Sequence, residues 1–299
     1  MHVAVTGSSG LIGSACVTYL TDNGHRVTQL VRRPPKPGVD AVQWEPSTGF
    51  IEPRGLDGVD AIVHLAGENI ASGRWSARKK ADIRDSRVTA TRRLCETLAR
   101  RSILLQTFVC ASAVGYYGHR GDEPLTEESP SGSGFLAEVC REWERAAEPA
   151  LQRGLRVVHL RFGVVLSPSG GALAKLLPLF RLGFGGPLGR GTQQMGWIAL
   201  DDVLGVVQHV LRSASLRGPV NAMAPNPVTN REFTRILGLV LRRPAVIPAP
   251  AFALKLLLGQ MAEETLLAGA KVVPAKLLAS RYPFRYPSLE GALRHLLGR

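Results

Sequence analysis

The chain opens with a short apolar, β-branched run, His2 to Thr6, that stops at Gly7. The period then changes. From Leu11 to Asn23, the residues Leu11, Ile12, Ala15, Cys16, Tyr19 and Leu20 recur at helical steps, and Gly24 supplies a stop. Arg26 to Val31 predicts a second strand, followed by a proline-rich turn from Pro34 to Pro37. Asp60 to Leu65 predicts a third strand, and Ser76 to Arg101 a long helix with Leu94 and Leu98 on its apolar face. Thr107 to Ala111, Gly134 to Gln152 and Arg156 to Phe162 continue as strand, helix and strand. Strands separated by helices of this length require right-handed crossovers and a parallel sheet, so the fold class is α/β and doubly wound.

After Gly163 the pattern loosens. Glycine-rich loops at Ser167 to Gly171 and Gly183 to Gly191 flank an apolar helix, and Asp201 to Arg212 predicts another, with Asp201 and Asp202 as its caps. Beyond Pro225 come short helices at Asn230 to Leu241, Ala251 to Leu258 and Leu289 to Leu297, punctuated by proline. The expected organisation is a nucleotide-binding domain over residues 1–225 and a smaller, mainly helical region over 226–299 that closes over the crevice.

Composition narrows the class without deciding the function. With 45% hydrophobic and 20% charged residues, the chain reads as an ordinary globular protein. No basic, apolar leader precedes the first strand, and Pro248, Pro250 and Lys255 interrupt the most apolar late stretch; a cytoplasmic protein with no membrane partner is expected. The four cysteines, Cys16, Cys95, Cys110 and Cys140, lie far apart without histidine at a ligand spacing, so reduced thiols and no metal are expected. A net charge of +13 raises nucleic-acid binding, but the basic residues are spread along the chain without an interleaved aromatic patch. Part of that field is suited instead to a phosphorylated cofactor or substrate.

The segment Val5-Thr6-Gly7-Ser8-Ser9-Gly10-Leu11-Ile12-Gly13 carries the first specific chemistry. Its Gly-x-x-Gly-x-x-Gly spacing follows a strand and opens a helix, the Rossmann arrangement for a dinucleotide. Gly7 permits a tight exit from the strand, Gly10 admits the diphosphate close to the backbone, and Gly13 lets the helix pack closely. The free amides at the helix start, with its positive dipole end, suit the diphosphate. An acidic residue at the end of the second strand would mark NAD. Here stand Val31, Arg32 and Arg33, with no carboxylate until Asp40. Two guanidinium groups suit a 2′-phosphate, so NADP(H) is the expected cofactor.

Further segments extend the pattern: His64-Leu65-Ala66-Gly67-Glu68-Asn69-Ile70, Ser86-Arg87-Val88-Thr89-Ala90-Thr91, Gly115-Tyr116-Tyr117-Gly118, Phe184-Gly185-Gly186-Pro187-Leu188-Gly189, Ala224-Pro225-Asn226-Pro227-Val228-Thr229-Asn230 and Pro283-Phe284-Arg285-Tyr286-Pro287. With the glycine turn they resemble an extended short-chain dehydrogenase/reductase of the NAD-dependent epimerase/dehydratase group, in its atypical "epimerase family" branch. The resemblance implies that Leu65, Ala66 and Gly67 pass beside the cofactor's ribose and diphosphate. It also implies that Glu68 and Arg87 face the same crevice, and that Val165 lines the nicotinamide side. Ser9, Leu11 and Ile12 join Gly7, Gly10 and Gly13 in the cofactor turn. A homodimer is suggested only by analogy with related folds.

Active members of that superfamily pair Ser or Thr with Tyr-x-x-x-Lys, and the tyrosine carries the proton. No Tyr-x-x-x-Lys occurs in this chain: Phe135 and Val139 stand at the expected positions. Counting back from Tyr117-Gly118 puts Ala113 at the serine position and Ser112 one residue early. Two expectations stay open. One is an NADP(H)-dependent oxidoreductase or nucleotide-sugar epimerase of unknown small-molecule substrate that uses Ser112 and Tyr116 or Tyr117. The other is a non-catalytic NADP(H)-binding sensor or interaction protein.

Overall fold

The run His2–Thr6 is apolar without alternation because both faces of its strand are covered, and Val3, Ala4 and Val5 are fully buried. A computed structural model describes residues 1–35, 38–101 and 105–299 and places this strand, β1, inside an eight-stranded sheet. The chain continues through α1 (Leu11–Asp22), β2 (Arg26–Val31), β3 (Ala41–Glu45), β4 (Phe50–Ile51) and β5 (Ala61–His64). Next come α2 (Ala77–Asp85), α3 (Val88–Arg100), β6 (Thr107–Ala113), a 3₁₀ turn (Val114–Tyr117) and β7 (Gly121–Leu125). The middle of the chain forms α4 (Phe135–Arg145), α5 (Glu148–Gln152), β8 (Arg156–Phe162), β9 (Val164–Ser167) and α6 (Gly171–Arg181). After β10 (Gln194–Met195) and β11 (Trp197–Ala199) follow α7 (Leu200–Arg212), β12 (Gly218–Ala222), β13 (Val228–Thr229) and α8 (Asn230–Leu241). The last elements are α9 (Ala251–Leu258), a π-helical turn (Ala262–Leu266), β14 (Ala270–Val272), α10 (Ala275–Ala279) and α11 (Leu289–Leu297).

Strand order in the sheet is β12-β8-β6-β5-β1-β2-β3-β4, parallel except for the antiparallel β3–β4 pair. Chain order reverses between β1 and β5. The crevice beyond their C-terminal ends is therefore where an open sheet of this kind takes a ligand. The α/β, Rossmann-type fold expected from the sequence is the observed one, with a largely helical C-terminal region.

Several local expectations change. The predicted long helix over Ser76 to Arg101 is two helices, parted at Ser86 and Arg87. The Ser86 hydroxyl donates to the Ile83 carbonyl, competing with the helix ladder, and Arg87, at φ −104° and ψ −62°, is distorted within the right-handed helical region. The helix over Gly134 to Gln152 likewise divides, with Pro149 in the first turn of α5. In the predicted proline turn, Lys36 and Pro37 lie outside the described residues.

The expected caps, Asp201 and Asp202, lie inside α7, whose N-cap Ala199 makes no side-chain bond. Asp202 is fully buried and accepts from the Tyr282 hydroxyl and from the amides of Arg285 and Tyr286. The Pro283–Pro287 segment is thereby tied to α7. The C-terminal chain also adds a strand, since β14 pairs in parallel with β7. A second core joins Leu166, Leu173 and Trp197 to Phe233, Leu237 and Leu293 from the C-terminal helices.

Candidate functional site

At the C-terminal end of β1 the chain turns at Gly7 with φ +68°, a conformation that favours glycine. A Cβ on Gly13 would lie 2.0 Å from the Gly7 carbonyl oxygen, so Gly13 is required by the fold of the turn itself. Gly10 differs: a Cβ there would meet only the Gly7 oxygen, at 3.3 Å, and otherwise open space. The N-terminus of α1 has no side-chain cap, whereas α2, α8 and α11 are capped by Ser76, Thr229 and Ser288. Ser9 and Gly10 are exposed at that end, with Leu11 and Ile12 half-buried behind them. Beside it, at the end of β2, Val31 is half-buried, and Arg32 and Arg33 are exposed without an ion pair among the described residues. Asp40 is directed elsewhere, accepting from Arg26 and from Thr28.

A buried polar chain fixes the next strand end. Thr6 Oγ1 accepts from the amides of Leu65 and Ala66 at 3.1 and 3.3 Å and lies 2.7 Å from His64 Nδ1. With both amides on Thr6, its hydroxyl donates to Nδ1, and Nε2–H then donates to Thr91 Oγ1 at 3.0 Å. Trp143 Nε1 donates to the same oxygen at 2.9 Å. Burial holds His64 neutral down to about 3, which preserves this donor order. The consequence is a fixed Leu65-Ala66-Gly67 segment facing the glycine turn; a Cβ on Gly7 would lie 2.8 Å from the Leu65 carbonyl carbon.

Gly67 lies under the Arg87 guanidinium, which would stand 3.2 Å from a Cβ there. Arg87 donates to the carbonyls of Glu68 and Ile83 and stacks over Trp143 at 5.2 Å. Glu68 turns outward to Lys79 at 2.5 Å, and that bond holds its carboxyl below the usual range. Arg87 is thus brought against the crevice backbone, and Glu68 is not aimed into it. Val165 is half-buried in β9, paired with Ile198 of β11.

The β6–α4 end is built differently. In β6, Ser112 pairs with Arg161 and Ala113 with Phe162 without a register shift, so the two side chains lie on opposite faces. No turn adjustment brings Ser112 to the serine position. Its hydroxyl, buried, donates to Glu144 at 2.8 Å. Glu144 binds Arg161 through both oxygens at 2.8 Å. Burial works against the Arg161 charge, but the bond to Glu144 outweighs it. Tyr117 is fully buried; its hydroxyl donates to Asn221 at 2.8 Å, receives from Arg161, and is pushed above the usual phenol range by burial. Ser112 and Tyr117 are therefore bonded into the core. Tyr116 is the exception. Its ring stacks on Arg161 at 3.5 Å and its hydroxyl makes no hydrogen bond among the described residues.

At the start of α4, Phe135 packs edge-on against Trp75 at 5.3 Å, and Val139 is buried. Two of the free amides of that helix end are taken by Glu264 from the C-terminal region. Its carboxylate accepts from Phe135 and Leu136 at 3.0 and 2.8 Å, a negative charge at the positive end of α4. Among the described residues, no cluster of three or more His, Cys, Asp or Glu side chains is arranged to hold a metal.

Residues 3–222 match the sequence model of the NAD dependent epimerase/dehydratase family. The chain belongs to that family. Residues 249–296 match a second model, a domain of unknown function (DUF1731). Among similar family proteins, the epimerase family protein Mb2239 of Mycobacterium bovis is 42% identical over 297 residues, covering 99% of this chain and 98% of that one. The human epimerase family protein SDR39U1 is 36% identical over 300 residues, covering 99% and 100%. A crystal structure of human SDR39U1 (isoform2) with NADPH superposes with a TM-score of 0.91 at 33% identity, over the full length of both chains. The nucleoside-diphosphate sugar epimerase of Corynebacterium glutamicum superposes at 0.83 and 43% identity, over all of this chain and 58% of that one.

In this epimerase-family chain, sequence reasoning missed Thr6, His64, Glu144 and Glu264. Thr6 and His64 stand in segments already singled out, and their pairing follows once β1 and β5 are neighbours. Glu144 is legible only through strand parity. Glu264 lies 129 residues from Phe135 and carries no local signal.

Proposed function

We propose that this protein binds NADP(H) across the β1–α1 turn and does not run a serine–tyrosine–lysine proton relay. The observation that carries the cofactor is the pair of exposed arginines, Arg32 and Arg33, without an ion pair among the described residues, beside the uncapped start of α1. The residues fit the group. Gly7, Ser9, Gly10, Leu11, Ile12 and Gly13 form the diphosphate cradle, and Arg32 and Arg33 hold the 2′-phosphate by charge-assisted bonds. Leu65, Ala66 and Gly67, fixed through Thr6, bound the ribose side, with Arg87 behind them and Val165 towards the nicotinamide. When bound, NADPH supplies a hydride.

The absence of a relay rests on Phe135, Val139 and Ala113 at the proton-carrying positions. The protein acts as a cofactor-binding sensor or interaction protein. A second reading, an oxidoreductase or nucleotide-sugar epimerase, is favoured by one observation, the uncommitted Tyr116 hydroxyl.

Replacing both Arg32 and Arg33 by alanine is expected to weaken NADPH by roughly tenfold to a hundredfold while leaving NADH nearly unchanged. Equal loss for the two cofactors removes the 2′-phosphate assignment. NADPH consumption with carbonyl or nucleotide-sugar substrates that disappears in Tyr116→Phe establishes the second reading over the first.

A further inference from the structure

The helix α9 has the sequence Ala-Phe-Ala-Leu-Lys-Leu-Leu-Leu, and none of its residues is buried. Phe252, Leu256 and Leu257 are 74%, 73% and 70% exposed. The helix is anchored at both ends. Just before it, the Ala249 amide donates to the Pro187 carbonyl and the Ala249 carbonyl accepts from the Gly189 amide, and near its end Arg74 donates to the Leu256 carbonyl. Next to it, the 247–249 segment runs along residues 185–189, carrying exposed Val246, Ile247 and Phe184. Between that segment and α8 lies a groove of about 500 Å³, lined by Arg231, Arg235 and Arg243 with Leu239, Val246 and Pro248. Among the described residues, Arg235 and Arg243 have no carboxylate partner, and the Arg231 side chain bonds only the Arg190 carbonyl.

Charge selects the occupant. Residues 179–191 and 231–257, which build this face, hold seven Arg or Lys and one acidic residue, Glu232; of the seven, Lys255 is paired with Glu263. A second copy docked symmetrically would set arginine against arginine, which disfavours self-association. A nucleic acid could stack a base on Phe252 but offers no apolar surface to Leu256 and Leu257. An apolar helix face beside unpaired arginines matches an amphiphile with an anionic head. We propose that this face docks on a lipid surface: α9 and the 246–247 turn enter the acyl boundary, and Arg231, Arg235 and Arg243 take phosphate headgroups. No helix among the described residues is long and apolar enough to cross a membrane, so the contact is peripheral. It departs from the expectation of no membrane partner, which rested on the lack of a spanning segment.

The test is co-sedimentation of the full chain with phosphatidylcholine vesicles, with and without phosphatidylglycerol. Sedimentation is expected only with the anionic vesicles, weakened by added salt. Arg231→Gln and Arg235→Gln are each expected to lower partitioning roughly fivefold, and Phe252→Ser with Leu256→Ser to abolish it. These positions are exposed, and an unchanged thermal midpoint confirms that the variants fold. No sedimentation with either vesicle overturns the proposal. Binding of inorganic phosphate that Arg231→Gln removes, without vesicle binding, also overturns it and assigns the groove to a free phosphorylated ligand. So does a concentration-dependent dimer that Leu256→Ser dissociates.

Discussion

Two strand-to-helix connections of this protein, the short β1–α1 turn and the longer β6–α4 passage, start at the same edge of the sheet and have opposite character. At β1–α1, the backbone is open: Gly10 faces free space, the helix end is uncapped, and two arginines stand unpaired beside it. At β6–α4, the corresponding groups are already satisfied. Ser112 and Tyr117 bond inward to Glu144 and Asn221, and Glu264 occupies the helix amides. The first end leaves its polar groups open, as the proposed cofactor requires. The second has its Ser112 and Tyr117 hydroxyls bonded into the fold.

The comparison breaks most readily at the glycines. Gly13→Ala forces a methyl against the Gly7 carbonyl and is expected to lower stability by about 3 kcal/mol or more, read as a fall in the urea midpoint. Gly10→Val is expected to keep that midpoint within about 1 kcal/mol while weakening NADPH by ~100-fold or more. A folded Gly10→Val protein with full NADPH affinity would show that the turn is structural only.

At the other end, Arg161→Met leaves the Glu144 carboxylate buried without its cation and is expected to cost about 3–5 kcal/mol. Ser112→Ala removes one of the donors to Glu144 and is expected to cost about 1 kcal/mol, with NADPH affinity unchanged. If Ser112→Ala instead eliminates a measured turnover without loss of stability, the hydroxyl works on substrate.

The His64 chain sharpens the link between the two ends. Its imidazole stays neutral in the fold down to about 3, against 6.5 for the free group. As pH falls below that free value, the unfolded chain takes up a proton that the fold refuses. Stability is therefore lost as pH falls through this window, by at most about 1.4 kcal/mol per pH unit from this group. Urea midpoints at about pH 7 and about pH 5 should converge in His64→Asn relative to the parent. An unchanged pH slope would remove His64 from the account.

Much of the fold was legible because its signals are local. The bounds of β1, β2, β8, α8, α9 and α11 follow from period and breaker alone. The break at Ser86 and Arg87 was hidden because both residues are compatible with a helix, and only the side-chain bonds part α2 from α3. The β14–β7 pairing joins segments about 150 residues apart, and nothing local announces it. In the site, glycine spacing exposed the cofactor turn, while the serine position depended on strand parity that a count of residues does not carry. Glu264 required the tertiary structure.

The central claim is that the open end of the crevice holds NADP(H). Its most direct measurement is calorimetric titration of the purified chain with NADPH and with NADH. Saturable NADPH binding, at least about tenfold tighter than NADH, is the predicted result. Absence of binding for both dinucleotides would contradict it and leave the glycine turn a structural element.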